Sequence, residues 1–244
     1  MTQNKVSTKK RILIGCPVHD GNRWCIERYI QAVRSLDHDG FDYDILLADN
    51  SKDDVFFQEL TSKGIKTVKV PYKETARERI KDSRNALRDE AITGGYDHLF
   101  SLEADLVVRK DTLMRLLSHR TDIITAYYGT DVIVTLKMKN TQEIKKALIN
   151  MPIIYLQSSP DKVRRANPKE ILDRGVIQIG AMGLGCALIS RQVLEKIKFR
   201  LEDGKKACDD MFFCIDAKKA GYNLYLDSDH KIEHEHRDWG DIKR

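Results

Sequence analysis

Two carboxylates separated by one small residue, Glu103-Ala104-Asp105, follow directly on the apolar run Leu99-Phe100-Ser101-Leu102. In an open α/β sheet, ligands bind in the crevice beyond the carboxyl ends of the strands. Acids placed there are costly to leave unpaired, and their hard oxygens suit a divalent cation that also carries phosphate oxygens. The same three residues in isolation would equally make a solvated surface turn. Their meaning therefore depends on what accompanies them.

Four groups do. Cys16-Pro17-Val18-His19-Asp20 closes an apolar run without the G-x-G-x-x-G of a dinucleotide fold. Asp49-Asn50-Ser51 closes a second run, as a helix N-cap or as an acid that accepts hydrogen bonds from a base or ribose. Arg84, within Ser83-Arg84-Asn85, is either a solvated helix residue or a guanidinium set over a diphosphate. Near the C-terminus stand Cys208-Asp209-Asp210, then His230, His234 and His236. Adjacent acids at a helix start are favoured by its dipole, whereas one facing a cleft would serve as general base toward a hydroxyl. His234 and His236 alternate along a short strand and share a face. They read as a packed pair, a zinc site or, beside residues 103 and 105, the completion of a divalent-cation site.

The elements that must position these groups alternate in type. Strands are predicted over 11–16, 43–48, 65–70 and 97–105, with helices between them. Ile26, Ile30, Val33 and Leu36 give one apolar helical stripe, and Phe56, Phe57 and Leu60 a second. A long helix runs from about Thr75 to Ile92 and stops at Gly94-Gly95. Asp111 is placed to cap the next helix. This β-α-β-α order predicts a mostly parallel sheet with right-handed crossovers. Beyond it, 123–128 and 132–137 read as strands. The polar stretch 140–175, with Pro152, Pro160 and Pro168, offers two short helices at best, as a lid, an acceptor loop or a passive excursion. Val176 to Ile189 resumes as strand interrupted by Gly180, Gly183 and Gly185, and Asp210 to Ala220 forms a helix ended by Gly221. Leu224 to Leu226 and His230 to Ile232 are short strands.

Composition narrows the class. The chain has 244 residues, enough for one large domain with a substantial core, with a frayed tail expected over 1–10. Lys and Arg exceed Asp and Glu by 42 to 37, a mild excess without the basic block of a nucleic-acid footprint. Apolar runs are strand-sized, so no transmembrane segment is expected, and the polar, basic start is not a secretory signal. The five cysteines form no C-x-x-C pair and read as reduced thiols of a cytoplasmic protein.

Taken in order, these motifs resemble the GT-A glycosyltransferases, in particular the inverting family 2, over roughly Arg11 to His236. Ile12 to His19 resembles the family's opening strand and nucleobase loop, Asp49-Asn50-Ser51-Lys52-Asp53-Asp54 its D-x-S-x-D stretch, and Arg84-Asn85 its R-N pair. Glu103-Ala104-Asp105 stands where the family has D-x-D, with Glu in place of the first Asp. The segment from Gly180 to Arg191 resembles the glycine-rich stretch beside donor and acceptor. Asp209-Asp210, Ala217, Gly221-Tyr222 and His234 resemble the closing E-D, A-x-x-x-G-Y and histidine series, with Asp209 replacing Glu.

The resemblance implies an α/β GT-A domain with a nucleotide-binding half over 11–120 and an acceptor-binding half over 121–244. It implies metal-dependent transfer of a sugar from a nucleotide-diphosphate donor to an acceptor hydroxyl. Asp210 would be general base with Asp209 beside it, and Asp49 would hold the nucleobase. Pro17, Val18, His19, Arg84, Glu103, Ala104, Gly183 and Gly185 would contact donor. Asp105, Glu103 and His234, with His236 as alternate, would hold Mn2+ or Mg2+. The acceptor, whether glycan, protein or lipid head group, is open. Two other readings compete: a nucleotidyltransferase making sugar nucleotides, and a catalytically silent carbohydrate- or partner-binding domain.

Overall fold

The structure, a computed structural model, describes residues 9–137 and 144–235. Its centre is an eight-stranded sheet whose first strand, β1 (Lys10–Val18), sends Ile12, Ile14 and Cys16 to one face and Leu13 to the other. Both faces are buried, which is why this strand is a continuous apolar run and not an alternating one. Parallel to it lie β2 (Phe41–Asp49), β3 (Thr67–Lys69), paired to β2, and β4 (His98–Leu102). The helices α1 (Ile26–Arg34), α2 (Val55–Ser62) and α3 (Ala76–Thr93) link them. Thr75 caps α3 through its hydroxyl, which accepts from the Glu78 amide at 3.3 Å.

After β4 the chain turns through residues 103–105 and enters β5 (Leu106–Val107), then α4 (Thr112–Ser118), β6 (Ile123–Tyr127) and β7 (Gly129–Lys137). The strand expected to reach Asp105 thus ends at Leu102, because β5 leaves the main sheet for a different partner. Asp111 sits at the start of α4 as expected but makes no side-chain cap, its carboxylate being held by Arg109 at 3.0 and 3.1 Å.

The segment 140–175 departs most from expectation. Residues 138–143 lie outside the described residues, but β7 pairs antiparallel with β8 (Ile144–Pro152), and β9 (Ile154–Ser159) pairs with β10 (Lys162–Arg165). Only one short helix, α5 (Pro168–Ile171), follows. The prolines misdirect because each occupies a place a strand or helix tolerates: Pro152 ends β8, Pro160 lies in a turn, and Pro168 opens α5 behind the Asn167 cap.

The stretch 176–189 is three strands in two sheets: β11 (Val176–Ile179), β12 (Ala181–Met182) and β13 (Cys186–Ser190). Then come α6 (Arg191–Lys196), α7 (Asp209–Lys219), β14 (Leu224–Lys231) and β15 (Glu233–His234). The main sheet runs β11-β14-β6-β13-β4-β1-β2-β3 and is mostly parallel. Within it β13 runs antiparallel to both neighbours, as does edge strand β11 to β14. The one sheet therefore draws strands from both 11–120 and 121–244. Residues of α1, α2 and α4 cover one face, and those of α3, α6 and α7 the other. No described helix is long and apolar enough to cross a membrane.

Candidate active site

The chain ends of β1, β2 and β4 converge on a cavity of about 240 Å3, lined by Pro17, His19, Asn22, Asn50, Ala76, Arg79, Ile80, Glu103, Ala104 and Asp105. His19 shapes its wall by accepting the Gly21 amide on Nδ1 at 3.0 Å, while its own amide donates to Asn22 Oδ1 at 2.9 Å. Val18 is fully buried in the core, so its side chain is not available to a ligand.

Asp49 does not line this cavity. It is fully buried, and its Oδ1 accepts from the Ser51 amide and hydroxyl at 3.1 and 2.5 Å, while Oδ2 accepts from Lys69 Nζ at 2.8 Å. The acid expected to hold a nucleobase is thus committed to closing its own loop. Its neighbour Asn50 faces the cavity instead, with its amide nitrogen donating to Ser83 Oγ at 2.9 Å.

Arg84 is likewise not set over the cavity. Reaching in from α3, it donates through one guanidinium nitrogen to both Asp209 oxygens at 2.9 and 3.0 Å, and through the other to Glu103 Oε1 at 2.9 Å. Burial works against its charge, but Asp209, then Glu103 and Asp210, more than offset that and raise its pKa. The expected diphosphate ligand is therefore a clamp joining β4 to the start of α7. This also accounts for Glu103 standing where the family has Asp: the longer side chain reaches the guanidinium. Burial raises the Glu103 pKa, Arg84 and His234 opposing, and Asp105 and Asp210 reinforcing.

Asp105 takes a different partner. β15 pairs antiparallel with β5, His234 opposite Leu106, and the Glu235 amide donates to the Asp105 carbonyl at 2.8 Å. That two-stranded link carries the His234 ring to Asp105, with Nε2 3.2 Å from Oδ2. Nδ1 of the same ring donates to the Gly129 carbonyl at 2.8 Å. A backbone acceptor on Nδ1 directs Nε2 toward a metal, the usual outer support of a ligating histidine. Burial disfavours the imidazolium, but the hydrogen bond and charge of Asp105 raise its pKa overall. His236 lies outside the described residues.

Among the described residues, no group of three or more His, Cys, Asp or Glu is arranged to hold a metal. Glu103 gives one oxygen, Oε1, to Arg84 and borders the cavity beside Asp105, so among the described residues the expected ligands are Asp105, His234 and Glu103. Carboxylate and imidazole groups of this kind would suit a divalent cation such as Mg2+ or Mn2+ whose remaining ligands came from outside the protein.

Asp210 opens α7, and its Oδ1 accepts from the Met211 amide at 2.6 Å. Burial raises its pKa, Arg84 opposing and Asp209 reinforcing. A carboxylate with raised basicity at a helix start is suited to removing a proton from a hydroxyl.

Gly183 and Gly185 pack against Tyr128 and present no ligand-binding side chains. A methyl on Gly185 would come within 2.8 Å of both Glu103 Oε2 and Tyr128 Oη, and one on Gly183 within 2.6 Å of Tyr128 Oη. The Tyr128 hydroxyl accepts from the Gly185 amide at 2.8 Å, and its ring meets His234 edge-on at 6.1 Å. Tyr128 was invisible in the sequence because an aromatic in a strand reads as core. Arg79 and Lys69 were missed for lack of any local signal, and in the Asp49-Asn50-Ser51 group the role went to Asp49 although Asn50 is the residue that borders the cavity.

No protein family profile matches the chain, and no curated protein matches its sequence. Solved structures do. Staphylococcus aureus TarS 1-349 in complex with UDP-GlcNAc superposes with a TM-score of 0.57 at 11% identity, covering 96% of this chain and 62% of that one. The same protein in complex with UDP gives 0.54 at 12%, covering 91% and 59%. A longer TarS gives 0.55 at 14%, covering 91% of this chain and 36% of its own. The chain thus spans less than two thirds of the structures it resembles. At these identities the likeness is one of architecture, and it agrees with the motif order: this chain has the GT-A fold.

Proposed function

We propose that the chain is a glycosyltransferase that moves a sugar from a nucleoside-diphosphate donor to an acceptor hydroxyl. The observation that carries this reading is that Glu103 and Asp105 line one strand-end cavity, with Asp105 paired to His234 and Glu103 joined through Arg84 to Asp209, the neighbour of the basic carboxylate Asp210. The TarS structures hold UDP-GlcNAc and UDP, which supports a donor of that class on this architecture.

The cavity wall formed by Pro17, His19, Asn22 and Asn50 would seat the nucleoside, with the Asn50 amide offering both a donor and an acceptor. Asp105 and His234 would hold Mn2+ or Mg2+, whose charge offsets that developing on the diphosphate leaving group. Asp210 accepts the proton of the acceptor hydroxyl as its oxygen bonds to the anomeric carbon. The bond from that carbon to the diphosphate oxygen breaks with its electron pair leaving on the diphosphate. Attack opposite the leaving group inverts the anomeric centre. Arg84 touches none of the reacting atoms; it fixes the distance between the base helix and the strand-end acids.

Unpaired thiols at Cys16, Cys25, Cys186, Cys208 and Cys214 suit a reducing, cytoplasmic setting. The test is release of nucleoside diphosphate from a panel of sugar nucleotides in the presence of manganese. Turnover that survives Asp210→Asn would remove the base assignment. Release of pyrophosphate from a nucleoside triphosphate would point to the nucleotidyltransferase reading instead.

A further inference from the structure

The opposite end of the sheet holds a second cavity that the transfer reaction does not use. It measures about 370 Å3 and is bounded by Lys10 at the start of β1, His98 at the start of β4, Arg120 and Thr121 after α4, and Ser190 and Gln192 beyond β13. Strand β4 runs from His98 toward Glu103, so the two sites sit at opposite ends of one strand, about 17 Å apart at ~3.3 Å per residue.

Three independent features mark this cavity as built for a ligand. The first is unmet hydrogen-bonding capacity. His98 Nδ1 and Thr121 Oγ1 are buried without a partner, although buried polar side-chain atoms are nearly always satisfied. His98 is 9% exposed and lies in the body of the sheet. Both residues border the cavity.

The second feature is charge. Lys10 and Arg120 line the cavity, and neither forms an ion pair with another described residue. The one carboxylate in the lining, Asp122, accepts from Ser190 Oγ at 2.8 Å and from the Gln192 side-chain amide. Those contacts tie Asp122 Oδ1 to the junction of β13 and α6. Burial, with the nearby charge of Lys10, lowers the His98 pKa to about 4, Asp97 and Asp122 opposing. The ring is therefore a neutral donor and acceptor at ordinary pH.

The third feature is backbone strain. Arg120 has φ 52°, the left-handed region that glycine occupies without cost at the end of a helix. Arg120 borders both this cavity and an adjoining one of about 280 Å3 that Lys10 also lines. Strained backbone of this kind concentrates at ligand clamps.

We propose that this cavity is a second ligand site, for a small phosphate-bearing anion, held by the charges of Lys10 and Arg120 and by hydrogen bonds from His98 and Thr121. A tetrahedral phosphate alone and a phosphomonoester with a compact organic body share the chemistry that the site recognises. The volume accommodates either.

The test is a titration of the intact protein with inorganic phosphate, and separately with a hexose monophosphate, read on the 15N resonances of the His98 imidazole. His98→Gln assigns those resonances. The double variant Lys10→Gln/Arg120→Gly keeps the fold, because glycine relieves the left-handed position. Saturable shifts of the His98 resonances are expected, with affinity falling at least about tenfold in the double variant. Tighter binding of the hexose phosphate than of phosphate assigns the occupant as a phosphomonoester, and the reverse order assigns phosphate itself. Resonances of His98 that stay fixed with both anions, or equal affinity in wild type and double variant, would overturn the site. Neither result bears on the transferase reading, since the active-site cavity shares no lining residue with this one.

Discussion

The clamp around Arg84 and the pair formed by Asp105 and His234 begin one residue apart and have opposite characters. Glu103 and Asp209 share one buried guanidinium, at 5% exposure, through three hydrogen bonds of 2.9 to 3.0 Å. Asp105 instead meets a single imidazole at 3.2 Å and borders the cavity. The first arrangement commits both terminal guanidinium nitrogens to carboxylates and ties Glu103 to the start of α7. The second keeps coordination capacity for a ligand from outside. Two acids in an E-x-D motif therefore border one cavity but differ in partner, Glu103 being tied to a buried guanidinium and Asp105 to an imidazole.

The division is most easily broken at Arg84. Arg84→Met leaves Glu103 and Asp209 facing each other without a counter-charge, and breaking a buried ion pair on one side costs about 3–5 kcal/mol. Urea unfolding should show that loss, with activity lost alongside it. Arg84→Lys should not restore either, because an ammonium does not reproduce the forked contact to Asp209. Asp210→Asn, beside the clamp but outside it, should behave differently. Transfer should fall about a hundred- to ten-thousand-fold while donor affinity and unfolding stay as in wild type. Since burial raises the Asp210 pKa, the acidic limb of the kcat/KM profile should lie above the usual value of 3.8.

A third carboxylate sharpens the contrast. Asp227 on β14 is fully buried, accepts from Arg115 at 2.5 and 3.0 Å and sits 2.8 Å from His119 Nε2. Burial alone would raise its pKa, but Arg115 and His119 lower it to about 2. A depressed acid contributes stability that is fully present above its unfolded value and is lost as pH falls through its folded one. Wild type should therefore lose on the order of 2 kcal/mol relative to Asp227→Asn between about pH 5 and pH 2. The smallest effect is expected at Tyr128→Phe. It removes one hydrogen bond to the Gly185 amide, at a cost of about 1 kcal/mol in stability and a modest fall in kcat.

How far the sequence disclosed this molecule depends on the range of the forces involved. The alternation from β1 to β4 was legible because apolar periodicity, the Thr75 cap and the Gly94-Gly95 stop act within a few residues. The ordered acids at strand ends were legible for the same reason. What escaped was set by distant partners. Lys69 occupies Asp49 from a neighbouring strand, and Asp209 and Glu103 occupy Arg84 from opposite ends of the chain. β5 ended the β4 strand early because β15 recruits it. The hairpins between 129 and 165 were hidden because their prolines sit where strands permit them, so punctuation was mistaken for loop.

The most direct test of the account is calorimetric binding of the nucleoside diphosphate released from its sugar donor, with manganese and with chelator, in wild type, Asp105→Asn and His234→Gln. The account predicts tight binding only in wild type with the cation, and weak, cation-independent binding in both variants. Equal affinity for that nucleoside diphosphate across all three proteins, unchanged by chelator, would contradict it.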